Sequence, residues 1–173
     1  NAVHGKQSAG APFNVYVRDG KTMRAATYAV RAGDALEEEF PLSVFTDGQY
    51  SIDVHGPNGF YRSFSGNAKG AVKAATVYEW KGSSLTGNVL VNLENAGSEA
   101  VTVTVMDHSY GAGTVVKTVG AGKTRSVLLD LARSHGWYDF SVKAEGEESA
   151  ARFAGRVETG RASFTDPLMG RAV

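Results

Sequence analysis

The chain contains no cysteine, which excludes a disulfide framework, thiolate nucleophiles and cysteine-held metals. It also lacks any excess of charge, with 18 basic and 18 acidic residues among 173. The balance is local too: nine basic and eight acidic residues through Gly82, nine and ten after it. A nucleic-acid binder neutralises phosphates with a basic surplus, so nucleic acid is not an expected partner. The same neutrality removes the electrostatic part of binding to an anionic membrane. No run of 18 apolar residues offers a membrane-spanning helix, and no basic-then-apolar signal opens the sequence. The opening Asn1-Ala2 leaves two readings: a natural start, or the remnant of a cleaved tag on a piece of a longer protein.

Against four prolines stand twenty-one glycines, with many Val, Thr and aromatic residues, the composition of short strands and tight turns. One pattern occurs twice. Gly48-Gln49-Tyr50-Ser51-Ile52-Asp53-Val54 reappears as Gly136-Trp137-Tyr138-Asp139-Phe140-Ser141-Val142. An aromatic and a glycine follow each copy, Phe64 and Gly66 in the first, Phe153 and Gly155 in the second. The opening and closing glycines are 18 residues apart in one copy (48 to 66) and 19 in the other (136 to 155). A one-residue difference is what a hairpin loop of variable length leaves behind.

Alternation of apolar and polar residues predicts strands at 13–18, 24–30, 50–54, 60–64 and 76–80 for the first copy. The second copy takes 89–93, 101–106, 115–119, 126–131, 138–142 and 151–157. Val101-Thr102-Val103-Thr104-Val105 is the cleanest, with valines on one side and threonines on the other. Single helical turns are expected at 34–40 and 128–134. The fold class is therefore all-β: a tandem of two small antiparallel β-sandwich modules, immunoglobulin-like in strand spacing. Gly-x-Tyr resembles the tyrosine corner of such sandwiches, in which the phenol bonds to nearby backbone. The linker-like Lys81-Gly82-Ser83-Ser84 sets the expected modules at 1–82 and 83–173, with one continuous sandwich as the alternative.

Catalytic signatures fail on inspection. Gly120-Ala121-Gly122-Lys123-Thr124 has Lys117 where a phosphate-binding loop needs glycine, and reads as a hairpin turn. Gly111-Ala112-Gly113 is followed by Val116 where a dinucleotide motif needs its third glycine. No nucleophile elbow or zinc-protease motif occurs. His4, His55, His108 and His135 lack partners at metal-ligand spacing, and His55 and His135 read as turn-capping residues. Asp53 and Asp139 fall on outward strand positions and are expected to be solvated. The chain by itself is not expected to be an enzyme, and no cofactor, metal or catalytic residue is assigned.

Two groups remain as candidate interface residues. Pro57-Asn58-Gly59-Phe60-Tyr61-Arg62 sets Phe60, Tyr61 and Arg62 beside a turn, where alternation sends one aromatic outward. Arg152, Arg156, Arg161 and Arg171 form a basic closing segment offset only by Glu158 and Asp166. Both read in the first place as ordinary residues: an edge aromatic covering a neighbouring strand, and arginines that are solvated or ion-paired.

The segments Val54-His55-Gly56-Pro57-Asn58-Gly59-Phe60-Tyr61-Arg62-Ser63-Phe64-Ser65-Gly66 and Arg152-Phe153-Ala154-Gly155-Arg156-Val157-Glu158-Thr159-Gly160, with Asp166-Pro167 and Met169-Gly170 after the second, resemble the repeated C-terminal domain of bacterial phosphocholine-specific phospholipases C. The first copy departs at its close, where Asn67-Ala68-Lys69-Gly70 stands in place of 156–160. The resemblance implies two such domains behind an N-terminal hydrolase domain that holds the residues cleaving the phosphodiester. It also implies a secreted or periplasmic protein. Three roles compete: docking on or stabilising that hydrolase domain, contact with a phospholipid surface, and binding of carbohydrate or protein.

Overall fold

The structure is a computed structural model that describes residues 9–67 and 69–169; Asn1, Ala2, His4, Ala68, Gly170 and Arg171 lie outside the described residues. Eleven strands form where alternation predicts them: β1 Ala11–Arg18, β2 Met23–Val30, β3 Tyr50–His55, β4 Tyr61–Gly66, β5 Val72–Lys81, β6 Ser84–Asn95, β7 Val101–Asp107, β8 Thr114–Val119, β9 Thr124–Leu129, β10 Trp137–Ala144 and β11 Ala150–Arg156. Every pairing is antiparallel. Among the described residues helix is confined to 3-10 turns at Leu42–Val44, Thr46–Gly48 and Ala132–Ser134. Residues 34–40 are irregular rather than helical, because Phe40 is drawn onto the sheet instead of completing a turn.

The strands divide unequally between two sheets. The larger has the order β2-β1-β3-β4-β11-β10-β7-β8 and the smaller β5-β6-β9. From the β4–β11 seam outward the larger sheet therefore reads β3, β1, β2 on one side and β10, β7, β8 on the other. Tyr50 pairs with Gly66 across the β3–β4 hairpin, and Tyr138 with Gly155 across β10–β11. The repeated Tyr and Gly are thus cross-strand partners. Both glycines adopt similar backbone angles, φ 149° and 150°, which side chains rarely accept. A Cβ on Gly155 would meet the Tyr138 hydroxyl at 3.1 Å. The extra residue of the second copy lies in its hairpin loop, six residues separating the paired Lys143 and Ala150 against five between His55 and Tyr61.

Lys81-Gly82-Ser83-Ser84, linker-like in composition, is the tight turn of the β5–β6 hairpin, in which Lys81 pairs with Ser84. The strand at 76–80, expected in the first copy, accordingly lies in the smaller sheet, whose core is built mainly from the second half. Gly120–Lys123 is likewise not a hairpin turn: it carries the chain from β8 in the larger sheet to β9 in the smaller.

Two cores result. Between the sheets lie Val89, Val91 and Leu93 of β6, Val103 and Val105 of β7, Val127 of β9 and Tyr138, Phe140 and Val142 of β10. The valines of β7 point inward as alternation requires. The first half has a second, smaller core of Val15, Val17 and Phe45, with Tyr50, Ile52 and Val54 partly buried against it.

Candidate functional site

The inner face of the first half carries Phe13, Val15 and Val17 from β1, Tyr28 and Val30 from β2, and Ile52 and Val54 from β3. In the second half the matching face lies beneath β5, β6 and β9. Over the face of the first half, among the described residues, only the irregular 31–49 segment crosses, setting down Phe40 and Phe45 and leaving an apolar trough of about 490 Å³. Leu36 stands at its edge, 49% exposed. The trough's far wall is β4. Phe64 borders the trough and also packs into the large core, so one side chain serves both halves.

Arg62 occupies the seam. Its guanidinium lies 4.3 Å from the Phe60 ring and 5.3 Å from that of Phe153, and donates to the Ala154 carbonyl at 2.8 Å and the Tyr138 hydroxyl at 2.9 Å. The Tyr138 phenol thus receives a hydrogen bond from across the seam, in place of the tyrosine-corner bond to upstream backbone. Phe60 meets Phe13 edge-on at 5.5 Å on the trough side. Tyr61 points to the opposite, outer face, where its hydroxyl donates to Asp53 at 2.9 Å. The three adjacent residues therefore do not form one patch.

The outer face is polar and crosslinked. Asp53 is buried beneath Arg18, and Asp139 beneath Arg152, which donates two bonds of 2.8 Å. These carboxylates are paired rather than solvated, the reverse of the sequence expectation. Burial alone would push both carboxyls up. Arg18 with Ser63 and Tyr61 outweighs it at Asp53, and Arg152 with Ser109 at Asp139, so both sit below the ordinary carboxylate range. Burial, with Asp53 alongside, pushes the Tyr61 phenol up. His55 lies between the rings of Tyr16 and Tyr61, at 5.6 and 4.8 Å. His135 takes a left-handed backbone (φ 56°) after a 3-10 turn, its ring tilted against that of Phe164 at 4.1 Å.

The C-terminal arginines are dispersed. Arg152 belongs to the outer-face pair, Arg156 lies 5.7 Å from the Trp137 ring, and Arg161 is exposed on the closing segment. That segment folds back onto the sheet. Phe164 accepts a bond from the Trp137 indole at 3.1 Å through its carbonyl, and Asp166 accepts one from the Tyr110 hydroxyl at 3.1 Å. Among the described residues no group of three His, Asp or Glu side chains is placed to hold a metal, and no helix is long and apolar enough to cross a membrane.

Sequence reasoning missed the trough. Its one local sign was the 31–49 stretch, where Leu36, Phe40, Leu42, Val44 and Phe45 stand without strand or helix period.

An all-β module with one closed core and one open apolar face is the class these features define. The chain belongs to the family described as bacterial phospholipase C, C-terminal domain, whose model matches residues 2–67 and 72–156. It is 40% identical over 170 residues to a non-hemolytic phospholipase C of Pseudomonas aeruginosa, covering 94% of this chain and 24% of that protein. A non-hemolytic phospholipase C of Burkholderia pseudomallei is 34% identical over 95% of this chain and 24% of its own length. A hemolytic phospholipase C of Pseudomonas aeruginosa is 36% identical over 79% and 19%. The chain spans about a quarter of the length of the first two of these relatives.

Proposed function

We propose that this chain is a non-catalytic C-terminal accessory region of an exported bacterial phospholipase C, docking on the remainder of its polypeptide and stabilising the hydrolase domain. Cleavage of the phosphodiester belongs to that N-terminal domain in this reading. The chain consists of two copies of one module, changing between β4 and β5. The family matches support this division, since they part between residues 67 and 72.

The observation that carries the docking role is the open apolar trough. Apolar surface withdrawn from water contributes roughly 25 cal/mol per Å². A partner on the same polypeptide is held at high effective concentration and escapes most of the entropy cost of association. Phe60 borders this face and is the candidate contact among the residues picked from sequence. Tyr61 and Arg152 belong to the outer face.

Removing residues 1–173 from the parent enzyme is expected to lower its thermal midpoint or its secreted yield. The isolated chain is expected to stay in the supernatant with phosphatidylcholine vesicles, having no net charge and, among the described residues, no amphipathic helix to hold it there. Sedimentation with the vesicles, abolished by Phe60→Ala with Tyr61→Ala, would replace docking with lipid contact.

A further inference from the structure

We infer that the open face of the first half is covered, in the parent polypeptide, by a β-hairpin from the residues immediately upstream of this chain, completing a first sandwich as β5 and β6 complete the second. This rests on the docking reading above and names the part of the polypeptide that docks.

The second half supplies the template. Its cover is a hairpin, β5–β6, that directly precedes β7 in the chain. β7 and β8 occupy the same places relative to β10 as β1 and β2 do relative to β3. The family match in the second half begins at residue 72, the first residue of β5, so the hairpin is part of the matched unit. In the first half the match begins at residue 2 and β1 at Ala11. The residues between are too few for a hairpin that occupies 72–95 in the second half. The counterpart of the cover therefore belongs ahead of them.

The 31–49 segment points the same way. β9 begins five residues after β8 ends and is held by its ladder to β6. Five residues after β2 ends lies Ala35, and 35–40 pairs with no strand among the described residues. By its place in the chain it is the counterpart of β9, forming neither strand nor helix where β9 has β6 beside it. Edge-on, β2 is likewise bare: its first five residues are all exposed, including Met23 at 58%. A hairpin seated over Val15, Ile52 and Val54 would pair with 35–40, as β6 pairs with β9. Its inward residues would alternate as Val89, Val91 and Leu93 do, at the sheet-to-sheet spacing of about 10 Å.

Amide hydrogen exchange on three proteins tests this: the present chain, the same chain extended by about 30 upstream residues of the parent (enough for two strands and a turn), and the full parent. The expected result is exchange at 35–40 and in β2 slowed by about tenfold or more in the extended chain, which stays monomeric, with β10 unchanged. Leu36→Glu, at a half-exposed position here, should leave the present chain folded and abolish the slowing in the extended one. Slowing only in the full parent would overturn the hairpin and leave docking standing, with the hydrolase domain as the cover. Slowing in the present chain alone as its mass doubles would assign the face to a second copy and overturn the inference. Protection in the extended chain, with parent stability and secretion indifferent to removal of residues 1–173, would keep the hairpin and sink the docking role.

Discussion

Tyr50, Ile52 and Val54 on β3 and Tyr138, Phe140 and Val142 on β10 stand in the same phase of the same sheet, after the same Gly-x-Tyr opening. The second set is between 1% and 3% exposed, whereas the first is only half-buried. Neither alternation nor strand pairing separates them. The difference lies in the layer above: β5, β6 and β9 over one, an irregular segment over the other. A strand's pattern chooses which face turns from water, but a second layer has to complete the burial.

The largest test of that contrast compares Phe140→Ala with Ile52→Ala. Loss of a fully buried Phe should cost about 3–5 kcal/mol. Ile52, already open to the trough, should cost about 1–2 kcal/mol, below the usual range for a buried Ile. Denaturant unfolding of the two variants reads the difference. Equal losses would mean that the first face is as well covered as the second.

The seam comes next. A Cβ at Gly66 would lie 2.8 Å from the Cα of Ser149, a backbone atom that cannot swing aside, at a φ that disfavours side chains. Gly66→Ala is expected to cost about 2–3 kcal/mol, and Gly155→Ala, facing the edge of Tyr138, about 1–2 kcal/mol. If the halves instead unfold in separate steps after Gly66→Ala, the seam and not the shared sheet couples them.

The smallest effect should be the same in both halves. Asp53 and Asp139 are held below the ordinary carboxylate range, so the unfolded chain takes up their protons at higher pH than the folded one. Their stabilisation is complete above the unfolded value, roughly 3.9, and is lost as pH falls through the folded value. Since Arg18 and Arg152 are each partly exposed, each pair should contribute only about 1 kcal/mol. Asp53→Asn and Asp139→Asn should flatten the acid limb of the stability curve to similar extents. A flattening confined to one variant would show that the outer face, like the inner, differs between the halves.

The two aspartates also show where sequence reading stopped. Each sits at an outward position, as alternation requires, and outwardness suggested solvation. The partner of Asp53 is 35 residues away on β1, and that of Asp139 is 13 residues away on β11. Only strand pairing brings them together. The Phe60-Tyr61-Arg62 run teaches the same lesson: three neighbours in sequence divide between two faces, and Arg62 becomes a bridge between halves.

By itself the amino-acid sequence determined the eleven strands, the phase of the repeated motif, the hairpin that holds the extra residue and the family to which the chain belongs. Each depends on residues close together along the chain, through a side-chain period of two and through turn glycines. The tertiary structure alone decided that β5 serves the second half, that β4 and β11 join the halves into one sheet, and that one apolar face is closed while its counterpart lies open. These are choices among distant partners, set by which layers can bury which faces, and no local pattern carries them.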